Sequence, residues 1–132
     1  ISPEHFEAVI QGMNDVYNYG TAALLKIPDI EICGKTGTAE NYTKIDGRRV
    51  QLTDHSVFTA FAPKDNPKIA IAVFVENGHY GSRWAGRIAS LMIEKYLKGH
   101  ITRTDMEDYV LQGSLEAEYA KPLSGQPFKI NQ

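Results

Sequence analysis

Residues 34–40 read Gly-Lys-Thr-Gly-Thr-Ala-Glu, a run that gathers a cation, two hydroxyls and two glycines within a few positions. Lys35 brings a point charge for an anion, and Thr36 and Thr38 bring hydroxyls that donate to a carboxylate or phosphate. A glycine at 37 removes the side chain that would block a ligand lying along the backbone. In an extended segment Lys35 and Thr36 alternate to opposite faces, so a ligand that meets both has to sit at the strand's edge.

Gly-Lys-Thr also ends the phosphate-binding P-loop, and that reading fails twice. The P-loop needs a glycine at position 29, where this chain has Asp29. It also needs a helix directly after the Lys-Thr pair, whereas Gly37-Thr38-Ala39-Glu40-Asn41-Tyr42 reads as continued strand and loop. The other known use of Lys-Thr-Gly is as the third signature of penicillin-recognising serine enzymes, beside Ser-x-x-Lys and a Ser-Asp-Asn type motif.

The elements around the run follow from periodicity. Ser2-Pro3-Glu4 reads as cap, first-turn proline and favourably placed acid. Phe6, Val9, Ile10, Met13, Val16 and Tyr17 then form the apolar face of a helix that stops near Gly20. Thr21 to Lys26 continue as a short helical turn. Strands are expected over 30–40, 55–62 and 69–75, the last so continuously apolar that it should be the most buried. Residues 41–54, with Asp46-Gly47, read as a loop or irregular hairpin tip. Ser82 is placed to cap a second long helix with a face of Ala85, Ile88, Ala89, Met92, Ile93, Tyr96 and Leu97, closed by Gly99. From His100 onward the pattern weakens to two helical stretches, 105–111 and 115–119, followed by Pro122, Gly125 and Pro127.

The chain has 132 residues, 42% hydrophobic and 23% charged, which suits one folded domain and excludes a disordered or fibrous chain. With 14 basic against 16 acidic residues, nothing in the overall charge draws it to nucleic acid. The longest apolar run, 69–75, is far short of the roughly 20 residues a membrane helix needs. His5, His55, His79 and His100 show no ligand spacing, so neither a metal nor another cofactor is expected. Cys33 shares a strand face with Lys35 and could in principle be an activated thiolate, but a packed thiol is the favoured reading. Arg48-Arg49 reads as a solvated hairpin tip. Trp84, Tyr80 and Tyr42 are read as core rather than groove aromatics.

In context the Lys-Thr-Gly strand resembles the C-terminal part of the transpeptidase domain of class B penicillin-binding proteins, and most of all their elongation type, penicillin-binding protein 2. The resemblance is carried by Gly12-Met13 before the strand, by 34–40 itself, by 55–63 after it, by 67–78, and by Ile93-Glu94-Lys95-Tyr96-Leu97, spanning Ser2 to Leu97. It implies the fold of the penicillin-binding transpeptidases and serine β-lactamases. The class is α+β, with a three-stranded antiparallel sheet carrying the N- and C-terminal helices on one face. Residues 1–99 would be part of that domain and 100–132 a partly helical tail.

The resemblance also implies a peptidoglycan D,D-transpeptidase, in which a serine attacks a stem-peptide carbonyl and the acyl group passes to an amine on a neighbouring strand. Lys35 would serve electrostatics and proton transfer, and Thr36 and Thr38 would hold the terminal carboxylate. The Thr38 backbone N–H would supply half of an oxyanion hole, and Gly37 would keep the edge open. The implied partners are stem peptides, β-lactams and other cell-wall elongation proteins, and the implied place is the periplasm, on a parent anchored in the inner membrane. None of the serines at 2, 56, 82, 90, 114 and 124 has lysine three positions later, and no Ser-x-Asn or Ser-x-Asp occurs. The nucleophile is therefore expected upstream, this chain being the last third of a catalytic domain and inactive alone. The rival expectation is a noncatalytic interaction module or β-lactam sensor that keeps the strand. In the family the last strand pairs with N-terminal strands absent here, so the isolated chain is expected to self-associate through that edge.

Overall fold

The computed structural model describes residues 1–119; the expected breakers Pro122, Gly125 and Pro127 lie outside them. Helix α1 spans Pro3–Asn18, and a 3₁₀ turn at Ala23–Leu25 follows. Next come β1 (Cys33–Ala39), β2 (Tyr42–Ile45), β3 (Arg48–Gln51), β4 (His55–Ala62) and β5 (Ile69–Val75). Helices α2 (Ala85–Lys98), α3 (Thr104–Gln112) and α4 (Glu116–Tyr119) complete the order. Strands β1, β4 and β5 form one antiparallel sheet in the order β1-β4-β5, and β2 pairs with β3 as a separate two-stranded ribbon. The expected α+β class with three antiparallel strands and two long helices is what the chain adopts.

The core gathers on the side of the sheet where Phe58, Ala60 and Ala62 of β4 are buried. Tyr17 of α1, Leu25, Ile32, and Ala85, Ala89 and Ile93 of α2 pack there as one cluster. The Tyr17 and Phe58 rings lie 6.4 Å apart. The Tyr17 hydroxyl lies 2.6 Å from the Leu25 carbonyl and 3.0 Å from Ser90 Oγ. Burial pushes its pKa up to about 12, because a phenolate there would lose its water.

Several local expectations are corrected. The first strand begins at Cys33, since Asp29 turns the chain with φ 67° and Ile27 and Ile30 bridge across that turn. Residues 42–51 form a regular hairpin; Asp46 and Gly47 take φ of 50° and 76°, the doubly left-handed turn that suits the twist of two paired strands. The most buried strand is β4, not β5, because β4 is central while β5 is an edge that leaves Ala70, Ala72 and Phe74 exposed. On α1 the early apolar residues Phe6 and Val9 are exposed, since only the helix's second half lies over β1.

On α2 the buried face is rotated from the expected one. Met92 and Tyr96 are exposed, while Ser90 and Glu94 are fully buried. The reason is a polar partner from beyond the helix. Arg103 reaches back, its Nε 3.0 Å from Glu94 Oε2, its Nη1 donating to Ser90 Oγ and the Leu25 carbonyl, and its Nη2 donating to the Ser90 carbonyl. Thr102 donates to Glu94 Oε1 through both its N–H and its hydroxyl. Gly99, at φ 77°, ends α2 so that the chain can turn back into this position.

Burial alone would raise the Glu94 pKa; the hydrogen bonds from Thr102 and Arg103 and the Arg103 charge outweigh it, leaving the pKa lowered. A lowered folded pKa means that Glu94 stabilises the fold fully above the unfolded carboxylate value of about 4.3 and ceases to as pH falls through the folded value. Arg103→Met should cost about 3–5 kcal/mol in denaturant unfolding at neutral pH, since it leaves a buried carboxylate without its cation. Glu94→Gln should flatten the acid limb of stability against pH. Parallel acid limbs for parent and variant would contradict this account.

Candidate functional site

The Lys-Thr-Gly run lies on β1, one of the two outer strands of the sheet, with β4 on one side and no strand partner on the other among the described residues. Antiparallel register pairs Lys35 with Thr59, Thr36 with Phe58, Gly37 with Val57 and Thr38 with Ser56. Gly34, Thr36 and Thr38 therefore alternate to the face of the buried Phe58 and Ser56, and Lys35 and Gly37 to the other. The two-faced arrangement expected from alternation holds. Lys35 and Thr38 are exposed, and Thr36 and Gly37 are half-buried. Lys35 Nζ donates to the Thr36 carbonyl at 2.7 Å. The chain continues as strand to Ala39, with no helix of the kind a P-loop requires.

Three contacts fix this strand from the core side. A Cβ at Gly34 would run into the Phe58 ring at 2.7 Å, so the glycine is what lets that large side chain fill the centre under β1. Thr36 Oγ1 lies 2.8 Å from Thr21 Oγ1, tying the motif to the segment after α1. Gly81, in the loop before α2, abuts the backbone of both strands: a Cβ there would collide with the Val57 carbonyl and lie 2.7 and 2.8 Å from the Gly37 oxygen and nitrogen. Buried Ser56 holds the same loop, donating to the Tyr80 carbonyl at 3.0 Å and accepting from the Ala85 N–H at 3.1 Å. That last bond supplies the cap at the start of α2, where Ser82 was expected to act and Trp84 occupies the cap position without a side-chain bond.

From its other end β1 is held by α1. Asn14 Nδ2 donates to the Ile32 carbonyl at 3.0 Å, and Cys33 Sγ lies 3.5 Å from the Ile10 carbonyl. Cys33 is fully buried, and burial raises its pKa despite nearby Lys64, so it is a packed thiol and no activated nucleophile. Of the three aromatics, only Trp84 is core, against Tyr109 at 5.4 Å; Tyr80 and Tyr42 are exposed. Arg49 of the hairpin stacks over Tyr42 at 4.1 Å and pairs with Glu40 at 3.0 Å, both partners solvent-exposed.

Thr21 and Gly81 were not singled out by sequence reasoning. A hydroxyl in a short turn and a glycine in a Gly-rich loop carry no local sign of which strand they touch. Cysteine and histidine positions give no comparable cluster, whereas the 34–38 run stays together in space because it is contiguous.

Residues 1–94 match the model of the penicillin binding protein transpeptidase domain. The chain belongs to that family. Among curated relatives, the peptidoglycan D,D-transpeptidase MrdA of Acinetobacter baumannii is 37% identical over 94 residues, covering 66% of this chain and 14% of that protein. MrdA of Haemophilus influenzae is 30% identical over 117 residues, covering 81% of this chain and 18% of that protein. A solved structure of penicillin-binding protein A from M. tuberculosis, a ceftriaxone acyl-enzyme complex, superposes with a TM-score of 0.62 at 33% identity, covering 74% of this chain and 22% of that one. The chain thus spans less than a quarter of the length of each of these relatives.

Gly81→Ala should displace Gly37 or Val57 and cost about 1–3 kcal/mol of stability, as overpacking against backbone does. Thermal unfolding of the variant beside Gly12→Ala, where an added Cβ meets nothing within 4 Å, checks it; a Tm equal to the parent's would show that the loop gives way freely.

Proposed function

We propose that this chain is the C-terminal portion of the catalytic domain of a peptidoglycan D,D-transpeptidase of the elongation type, with residues 1–99 in the domain proper and the described part of the segment after it, 100–119, docked on it. The observation that carries the reading is the Lys35-Thr36-Gly37-Thr38 run, exposed at Lys35 and Thr38, on an edge strand that has no strand partner on its outer side among the described residues. The relatives named as D,D-transpeptidases support the reaction class, and the acyl-enzyme complex of a relative supports β-lactam binding.

In this reading a stem peptide lies along the outer edge of β1. Within an antiparallel strand the N–H and C=O of alternate residues point to alternate edges. The Thr36 carbonyl is taken by Lys35 Nζ, which agrees with Thr36 and Thr38 presenting their backbone groups outward and Lys35 and Gly37 turning theirs to β4. The Thr38 N–H then stands where one oxyanion donor is needed, and the Thr36 and Thr38 hydroxyls hold the terminal carboxylate. Lys35 supplies positive charge beside the reacting carbonyl. The serine nucleophile, its lysine and the other oxyanion donor belong to portions of the domain outside this chain. The serine oxygen attacks the penultimate carbonyl, the terminal D-alanine leaves as the amine, and the acyl group passes to an amine of the neighbouring strand. The parent acts in the periplasm, anchored to the inner membrane; among the described residues no helix is long and apolar enough to cross a membrane. The second reading, a noncatalytic sensor or interaction module that retains the strand, differs in what the strand does.

Two measurements test this. The isolated chain should take up no covalent label from a fluorescent penicillin, and a stoichiometric adduct by mass spectrometry would overturn the missing-nucleophile assignment. In the full-length parent, Thr38→Val should slow acylation roughly ten- to a hundredfold, the value of one hydrogen bond to a charged group, and Lys35→Ala should slow it more. Parental rates in both folded variants would make the strand structural and favour the sensor or interaction module.

A further inference from the structure

The exit of β1 is held by a knot of polar contacts that ends in the C-terminal segment. Asn41, two residues beyond the strand, accepts and donates in three directions. Its N–H donates to Asp54 Oδ1 at 3.1 Å, and its amide donates to the Thr53 carbonyl at 3.1 Å and Asn77 Oδ1 at 2.9 Å. Gln51, at the end of β3, donates to the Asn41 carbonyl and to Asp54 Oδ1, both at 2.9 Å. These bonds close the root of the β2–β3 hairpin, so the angle at which the hairpin leaves the Lys-Thr-Gly strand is set there.

The knot is in turn gripped from outside by α4. Thr53 Oγ1 donates to Glu118 Oε2 at 2.6 Å, and His79 Nε2 lies 3.1 Å from Glu118 Oε1. The Tyr119 hydroxyl donates to the Glu76 carbonyl at 3.2 Å. Glu118 thus spans the two segments, 53–54 and 76–79, that Asn41 ties together from the other side. The 76–79 loop needs such support, because Asn77 and His79 adopt φ of 54° and 64°, a region that side chains other than glycine enter only when surrounding contacts hold them. The His79 N–H donates to the Asp54 carbonyl at 2.9 Å, which joins the loop to the knot.

The path that brings Glu118 there is also built. Tyr109 of α3 packs on Trp84 and lies under the Arg87 guanidinium at 4.3 Å. Gly113 passes so close to the Trp84 ring that no side chain would fit, and Ser114 Oγ accepts from the Glu116 N–H as α4 begins.

We propose that Glu118 is a positioning residue for the substrate strand: through Thr53 and His79 it fixes the Asn41 knot, and with it the hairpin that stands at the exit of β1. The inference rests on the transpeptidase reading for its catalytic consequence and on the contacts alone for its structural one. The test uses the full-length parent carrying Glu118→Ala, Thr53→Val or Thr53→Ser. Amide hydrogen exchange over 41–54 and 76–79 is followed, with α2 as internal reference, beside the second-order rate of acylation by a fluorescent penicillin.

Glu118→Ala and Thr53→Val should speed exchange in both segments and leave α2 unchanged. Both should slow acylation about three- to tenfold, as loss of one or two net hydrogen bonds at a distance would. Thr53→Ser, which keeps the hydroxyl, should restore parental exchange and rate. Unchanged exchange in Glu118→Ala overturns the proposal, and so does faster exchange with a parental acylation rate. If the unmutated parent is not acylated at all, the transpeptidase reading fails, and the exchange data alone decide whether Glu118 holds the knot.

Discussion

In the proposed reading β1 receives a ligand along its edge, so only one neighbouring strand can hold it, and this constraint organises the molecule around β1. The hydrogen bonds that a second partner would have made have to be replaced by contacts on the strand's faces and ends. Gly34 lets the Phe58 ring seat beneath it, Thr36 meets Thr21, and Gly81 presses on the Gly37 backbone. Asn14 takes the Ile32 carbonyl just before the strand, and Asn41 closes it just after. Each of these comes from a different segment. An edge of seven residues is thus over-determined by contacts from its core side and its ends.

The same logic explains why charged groups are buried far from the site. α2 covers β4 and β5, and the loop leading into it carries Gly81 and the segment that Ser56 holds. Any drift of α2 would pass through that loop to β1. Glu94 and Ser90 on α2 are locked to Arg103, which also takes the Leu25 carbonyl beside Tyr17. One guanidinium therefore joins α2, the turn after α1 and the start of α3. A buried pair of this kind is poor value as net stability, since desolvation offsets most of its attraction. Its fork geometry, satisfying three carbonyls, a hydroxyl and a carboxylate at once, instead specifies one relative placement of the elements.

How much of this was legible in the sequence depended on whether the decisive partner was local. The 34–38 run was readable because residue type, spacing and alternation all lie within one strand, and its family resemblance added the expected fold. The two long helices and three sheet strands followed from periodicity. Position within the sheet did not: Ile69 to Val75 reads as buried by composition, yet β5 is an edge, because strand order is a property of the whole topology. The α2 face failed for a related reason. Ser90 and Glu94 look like surface residues until Arg103, nine positions beyond Glu94, folds back on them. The hairpin strands were too polar to show as strands, although their turn pair was visible, and Thr21, Gly81 and Glu118 act through contacts no spacing rule predicts.

The two edges of the sheet differ in kind. β1 carries an exposed lysine and a glycine, a composition that discourages pairing with a random strand while leaving the backbone open to a short extended peptide held by specific side chains. β5 carries no charge between Lys68 and Glu76 and exposes Phe74, so it offers a generic apolar edge with charges only at its ends. Adding a strand to β5 would bury apolar surface and require no motif. Adding one to β1 would set a chain against Lys35 and demand a carboxylate or carbonyl to meet it. In the proposed reading the ligand-facing groups and the generic apolar edge thus lie on opposite sides of the sheet, with the buried strand β4 between them.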